Sequence, residues 1–430
     1  MPEYPLRKEG FGRPWWLLVG SQLSILAQEA QYSVDRQLDM LLFLYSQVLP
    51  RVGPLYSPEK SSEWSHRWAS LLTDDGSPFE YSWKWNGSST DTPEIRYCIE
   101  AIGALTGTPD DPFNFLETER LLADELAPRL SQPPLDLTWH HHLTKALGIQ
   151  DRKPVPTNPE APPSSMFVAF EHVAKGTVVK NYYLPASDPE SGGAPTFTTF
   201  ANATRGILEN TNALDAVMDY VTSDPVGSTM TPDMLAIDCV GPAKSRLKLY
   251  ASSPKSSFAF IASVMTLGGR IPSMDRGIEE LRSLLTSVLG LDGEAFSSTD
   301  ELVVRNPFDP SLAHAFDLYS RMTYYFDIAP NSALPDVKLY IPVIRYARSD
   351  DAVAAGLAEY LRGRQREQHH EGFVRALAKI GERHAQGSGH RLQTYLAVAF
   401  QRDGSLAITS YLNPGIYHTS LKAGYGNNKQ

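Results

Sequence analysis

The chain is poor in cysteine. Its 430 residues hold two, Cys98 and Cys239, which excludes a disulfide scaffold and a cysteine-rich zinc module. It also lacks long apolar runs. The longest near the N-terminus, Trp15–Val19, is too short for a signal core, and no stretch reaches the roughly 20 residues a membrane helix needs. A cytoplasmic protein with no membrane partner is expected, so the sequons at Asn86 and Asn202 read as chance matches. Positive charge is scarce: 39 Lys and Arg stand against 49 Asp and Glu, for a net charge of −10. A nucleic-acid partner is excluded on that balance, because binding a phosphate backbone needs a basic surface to displace counterions. There is no P-loop, GxGxxG, HExxH or GxSxG. The run His140-His141-His142 is not expected to hold a metal, since adjacent helical residues point to different faces.

What is present is a large hydrophobic fraction, 42%, and a repeated pattern. Five times, two β-patterned runs flank a turn signal. These are Phe79–Trp85 and Ile95–Ala101 around Asn86-Gly87, Met166–Phe170 and Thr177–Leu184 around Lys175-Gly176, and Met234–Val240 and Arg246–Ala251 around Gly241-Pro242. Met322–Ile328 and Val337–Val343 follow around Pro330-Asn331, then Leu392–Phe400 and Ser405–Leu412 around Asp403-Gly404. Between the hairpins the apolar period becomes helical, at Val34–Val48 (with Ser33 as N-cap), Phe115–Leu126, Leu137–Leu147, Ile207–Val221, Ile278–Leu289, Ala352–Leu361 and Phe373–Ile380. The proline-rich stretch Arg152–Ser165 and the segment Pro185–Pro195 read as loops beside the second hairpin. A helix–hairpin unit repeated this regularly predicts one closed α+β domain over residues 1–430, rather than the two or three domains that length alone would suggest.

Residues two apart share a strand face. Phe79, Tyr81, Trp83 and Trp85 lie on one face of the first strand, and Glu80, Ser82 and Lys84 on the other. A cation followed two residues later by tyrosine recurs at Lys180/Tyr182, Lys248/Tyr250 and Lys338/Tyr340. Arg96 and Arg246 share the polar face, Gln393 lines up with Tyr395, and Thr409 with Tyr411. On an open sheet this face would sit in water. Ten strands can also close, which removes exposed edges and turns the polar face into a lumen. Arg96, Lys180, Arg246, Lys248 and Lys338 in a lumen repel one another and need an anionic partner. A diphosphate supplies that charge, and tyrosine ring faces attract a cation. A pocket that holds a diphosphate beside a sheltered carbocation suits prenyl transfer. Metal-dependent prenyl diphosphate enzymes hold magnesium through DDxxD, whereas the pairs Asp74-Asp75, Asp110-Asp111 and Asp350-Asp351 have no Asp three residues beyond the pair. No metal is therefore expected to be required, and a divalent ion to stimulate at most.

These residues resemble the fungal dimethylallyltryptophan synthase-type aromatic prenyltransferases over nearly the whole chain. The carriers are Trp15-Trp16, Pro78-Phe79-Glu80-Tyr81-Ser82, Ile95-Arg96, Val179-Lys180-Asn181-Tyr182, Arg246-Leu247-Lys248-Leu249-Tyr250, Thr266-Leu267-Gly268-Gly269-Arg270, Lys338-Leu339-Tyr340-Ile341-Pro342, and Tyr395 with Tyr411. The resemblance implies an ABBA (PT) barrel of ten antiparallel strands inside a ring of helices. It implies that Glu80 binds the acceptor N–H, that Arg96, Lys180, Arg246, Lys248 and Lys338 hold the diphosphate of dimethylallyl diphosphate, and that Tyr182, Tyr250, Tyr340, Tyr395 and Tyr411 shield the carbocation. Members that prenylate tryptophan at C4 carry a lysine where this chain has Met166-Phe167. That difference implies a larger indole acceptor, such as a tryptophan-containing cyclic dipeptide, in secondary metabolism. A phenolic or polyketide acceptor, and a non-catalytic barrel binding an anionic amphipathic ligand, stand as alternatives. Either a monomer or a homodimer is compatible.

Overall fold

The computed structural model describes residues 12–55, 68–85, 92–131, 133–150, 164–173, 176–185, 188, 190–272, 274–291, 299–306, 321–382 and 391–417. The turn Asn86-Gly87 with its sequon, Lys175, and residues 152–163 of the proline-rich stretch lie outside them.

Ten strands form as the alternation requires: β1 (Phe79–Trp85), β2 (Glu94–Ile99), β3 (Met166–Val173), β4 (Gly176–Tyr183), β5 (Thr231–Asp238), β6 (Leu247–Ser253), β7 (Met322–Ile328), β8 (Asp336–Ile341), β9 (Gln393–Phe400) and β10 (Leu406–Leu412). They close into one antiparallel barrel in which each strand pairs with its sequence neighbours and β1 pairs with β10. The outward residues are large and apolar. Phe79, Trp83, Phe170, Leu249, Phe326, Leu339, Val398 and Ile408 have no exposed surface. The helices cover them, as Phe373 does where it packs 4.8 Å and 5.5 Å from the rings of Trp85 and Trp83.

The helical layer is richer than one helix per hairpin. Two long helices precede most hairpins, such as Phe197–Arg205 with Asn212–Ser223, and Asp275–Leu289 after Phe258–Met265. Ser21–Glu29, Phe197–Arg205 and Phe258–Met265 escape sequence reading for different reasons. Phe258–Met265 is apolar all round, so it carries no amphipathic period. Phe197–Arg205 is rich in threonine, a poor helix former, and its start is fixed by a reciprocal Thr196–Thr199 capping box. Residues 207–211, expected to open the Ile207–Val221 helix, belong instead to the loop between these two helices. Ser33 caps Val34–Phe43 as expected, its hydroxyl accepting from the Arg36 N–H. Among the described residues no helix is long and apolar enough to cross a membrane.

Candidate active site

Register decides which lumen side chains meet. Pairing sets Ser82 beside Arg96, Arg96 beside Glu171, Lys180 beside Ala169 and Asp238, and Lys248 beside Ala236 and Asp327. Tyr250 lies beside Tyr325, and Tyr325 beside Lys338. A cavity of about 330 Å³ opens inside, lined among others by Glu80, Arg96, Phe167, Lys180, Tyr182, Asp233, Tyr250, Tyr340, Tyr395 and Tyr411.

One end is basic, but its charges are partnered. Glu171 accepts from Lys180 Nζ at 2.7 Å and from Arg96 Nη2 at 2.8 Å, and Arg96 also reaches Glu94. Asp238 accepts from Lys248 Nζ at 2.8 Å and Arg246 Nε at 3.0 Å, and Arg246 Nη1 reaches Asp327 at 3.0 Å. The expectation that these cations need a ligand to balance them is therefore corrected for four of the five, because carboxylates on neighbouring strands already do so. Lys84, Arg96, Lys180, Arg246, Lys248 and Lys338 still outnumber Glu94, Glu171, Asp238 and Asp327 by two. Burial would raise the Glu171 carboxyl, but Lys180 and Arg96 outweigh it and hold the group down at about 2. Burial, then Arg96, push the Lys180 ammonium down to about 8.

The five cations are not equivalent in position. Arg96 and Lys180 line the cavity. Arg246 precedes β6, with 44% of its side chain exposed, and bridges two carboxylates at the end of the barrel. Lys248 is buried behind Asp238. Lys338 has no carboxylate in ion-pair range among the described residues. Its Nζ lies 5.3 Å from the Tyr340 ring centroid and 5.8 Å from those of Tyr325 and Tyr411, and 3.5 Å from Thr409 Oγ1. Burial, followed by repulsion from Arg96, Lys84, Lys180 and Lys248, lowers its pKa far below the usual lysine range.

Next to the cations stands a collar of tyrosines. Ring centroids of Tyr182 and Tyr250 are 6.0 Å apart, Tyr250 and Tyr340 6.0 Å, Tyr340 and Tyr411 5.3 Å, and Tyr340 and Tyr395 6.2 Å. Burial raises all five phenols above their ordinary pKa, so the collar is neutral and offers ring faces and hydroxyls. Tyr325, absent from the sequence-level set, completes it at 5.2 Å from Tyr250 and 6.0 Å from Tyr340. Its signal was available, since Tyr325 and Asp327 share the lumen face of β7. Glu171 fell just beyond the strand expected to end at Phe170, which runs to Val173.

The other end of the cavity is acidic. Glu80 lies on β1 opposite Cys98, and burial, followed by the nearby Asp74, pushes its carboxyl up to about 8. Asp74 itself is raised to about 7 by burial and then by Asp75. Away from the barrel interior, His140 and His141 converge on Glu119, while His142 turns to the Ala203 carbonyl. His140 is buried with both ring nitrogens engaged, Nδ1 3.0 Å from Tyr183 Oη and Nε2 2.8 Å from Glu119. Those bonds hold His140 in place, but the expectation that the adjacent histidines point apart is corrected for His140 and His141, whose ligand atoms and that of Glu119 all lie within 4.8 Å of one another.

A closed ten-stranded barrel holding a basic end, a tyrosine collar and a buried carboxyl defines an aromatic prenyltransferase. Comparison with known proteins agrees. Residues 12–376 match the family described as tryptophan dimethylallyltransferase, and the chain belongs to it. It is 64% identical over 409 residues to the DMATS-type prenyltransferase fscG of Fusarium equiseti, covering 95% of this chain and 93% of that protein. It is 34% identical over 419 residues to xanthone prenyltransferase A of Emericella nidulans, covering 93% and 92%. The crystal structure of NotF in complex with brevianamide F and DMSPP shares the fold with a TM-score of 0.74 at 20% identity, covering 96% of this chain and 97% of that one.

Proposed function

We propose that the protein transfers a dimethylallyl group from dimethylallyl diphosphate to an indole by electrophilic aromatic substitution, without requiring a metal, in secondary metabolism. The observation that carries this is that Arg96 and Lys180, the tyrosines Tyr182, Tyr250, Tyr340, Tyr395 and Tyr411, and Glu80 all line one cavity. The diphosphate would displace Glu171 from Lys180 and Arg96 and take up the excess positive charge. As the C–O bond ionises, negative charge grows on the leaving diphosphate and these cations stabilise it. The allyl cation forms against neutral tyrosine rings. The acceptor ring attacks it while Glu80, as carboxylate, accepts a hydrogen bond from the acceptor N–H and makes the ring more nucleophilic. Loss of the ring proton restores aromaticity.

The metal-free reading is supported by where the acidic pairs are used. Asp75 accepts from the Ser77 and Tyr417 N–H groups, each at 2.9 Å. Asp111 accepts from Phe115 N–H at 2.7 Å, and Asp350 pairs with Arg391 at 2.9 Å. A second acceptor class, a hydroxyarene, is favoured by the similarity to xanthone prenyltransferase A, and a phenol O–H would meet Glu80 in the same way. The test is mass spectrometry of products after incubation with dimethylallyl diphosphate and a mixed panel of indoles and hydroxyarenes. Prenylated indole is the expected product. Prenylation of hydroxyarenes alone would replace the indole reading with the second, and no product from either class would overturn both.

A further inference from the structure

Alternation on β5 places Leu235 and Ile237 outside the barrel and Met234, Ala236 and Asp238 inside. By the same count Asp233 belongs outside. It is not there, because the β5–β6 register shifts between Pro232 and Met234. A bulge of this kind re-aims one side chain, and both Asp233 and Met234 line the cavity. Ser252, which shares the lumen face of β6 with Lys248 and Tyr250, donates to Asp233 Oδ1 at 3.0 Å. Asp233 Oδ2 is buried and has no hydrogen-bond partner among the described residues. Arg321 is near enough to act on its charge but makes no ion pair with it.

Asp233 is bonded to Ser252, which lies beyond Tyr250 from Lys248 on β6, and Glu80 lies beyond Ser82 from Lys84 on β1, so both acids stand on the side of the cavity away from those lysines. The basic residues among those lining the cavity, Arg96 and Lys180, are held at the other end by Glu171. An acceptor carrying a free carboxylate would therefore meet acids where its side chain must lie. An acceptor carrying an amine would satisfy an oxygen that otherwise stays buried and unpaired, which is costly.

We infer that Asp233 is a specificity-determining residue that holds a protonated amine on the side chain of the aromatic acceptor, and that the natural acceptor is an arylalkylamine type lacking a free carboxylate. This rests on the proposed prenyl acceptor site, but not on whether the ring is an indole or a phenol. Glu80 would address the ring's own N–H or O–H, and Asp233 the side-chain nitrogen.

The experiment is calorimetric titration of the protein saturated with dimethylallyl thiodiphosphate, an unreactive donor analogue. The probes are two matched pairs, tryptamine with indole-3-propionate and tyramine with 3-(4-hydroxyphenyl)propionate. In at least one pair the amine should bind about tenfold or more tighter than the acid. Asp233→Asn keeps an acceptor for Ser252 and removes the charge, and it should narrow that ratio to about twofold. Titrating the donor analogue into the variant checks that the barrel is intact. Equal binding of amine and acid in both pairs, or a preference that survives in Asp233→Asn, would overturn the inference. Prenylated products in the panel assay alongside either of those results would leave the enzymatic reading standing and remove only the role of Asp233. Failure of all four probes to bind would remove both the role of Asp233 and the proposed acceptor site.

Discussion

At the scale of single residues, the chemistry turns on the charge state of a few buried groups. Glu80 is raised to about 8 by burial and by Asp74, so in the free site it is mostly neutral at pH 7 and ionised above pH 8. The ionised form is the one that accepts the acceptor's proton density. With donor saturating, kcat/KM for an indole acceptor should therefore rise with pH through an apparent pKa near 8, the profile reporting the form to which the acceptor binds. Glu80→Gln should abolish that limb and lower kcat about a hundredfold or more, with donor affinity retained. A kcat within a few-fold of the parent, or an unchanged acid limb, would remove Glu80 from the chemistry. Saturating donor matters because Lys180, lowered to about 8 in the empty site, regains its charge beside a bound diphosphate. Lys180→Ala and Lys248→Ala should each raise the donor KM and lower kcat by roughly tenfold, since a charge-assisted bond to the leaving group strengthens as charge develops on it. Lys248 is the more informative of the two. It is buried against Asp238, so an unchanged donor KM in Lys248→Ala would assign it to neutralising Asp238 alone.

At the scale of elements, the helices press on the barrel and on each other at fixed points. Helices Asp275–Leu289 and Asp350–Arg362 cross where Ser287 Oγ donates to the Gly356 carbonyl at 2.9 Å. A Cβ on Gly356 would fall 2.2 Å from the Ser287 carbonyl oxygen and 2.6 Å from its carbon. Backbone cannot yield as a side-chain tip can, so Gly356→Ala should force the helices apart even though alanine is the better helix former. A loss of about 1–3 kcal/mol is expected, the usual cost of overpacking. It would be read as a lower denaturant midpoint with an unchanged slope. A variant as stable as the parent would show that the crossing relaxes freely. The same layer shows why periodicity located most helices but not all. Asp275–Leu289 and His370–Gly381 pair a buried apolar face with a polar one, whereas Phe258–Met265 carries alanine and serine rather than charge on its less buried face, at Ala259, Ala262 and Ser263, so no amphipathic period marks it.

For the whole molecule, closure is the decisive fact. Pairing of β1 with β10 sets Tyr81 opposite Leu412 and Ser82 opposite Tyr411. Residues more than 300 positions apart thus share one wall, and neither strand is left as an edge. Closure also brings the six basic side chains and their four carboxylates together at one end of the barrel, where they act as a fixed electrostatic field. Product should therefore form in excess EDTA at a rate within a few-fold of that with added Mg²⁺, at matched ionic strength because the field is screened by salt. Complete loss with EDTA and recovery with Mg²⁺ would sink the metal-free mechanism and return Asp74, Asp110 and Asp350 to consideration as ligands.

The sequence by itself determined the hairpins, most of the helices, and the identity of the lumen face. All of these follow from local periods of 2 and 3.6 residues, which survive without knowledge of what lies across the barrel. Glu80, Lys180, Lys248 and Lys338, with Tyr182, Tyr250 and Tyr340, were legible for that reason. The tertiary structure decided what each of them meets. That Lys180 faces Glu171 and Asp238, that Lys338 is left among three rings, and that Tyr325 closes the collar all depend on register between strands distant in sequence. Asp233 is the sharpest case. Its position in the chain assigns it to the outer face, and a one-residue bulge in the β5–β6 pairing, which no local period records, turns it into the cavity.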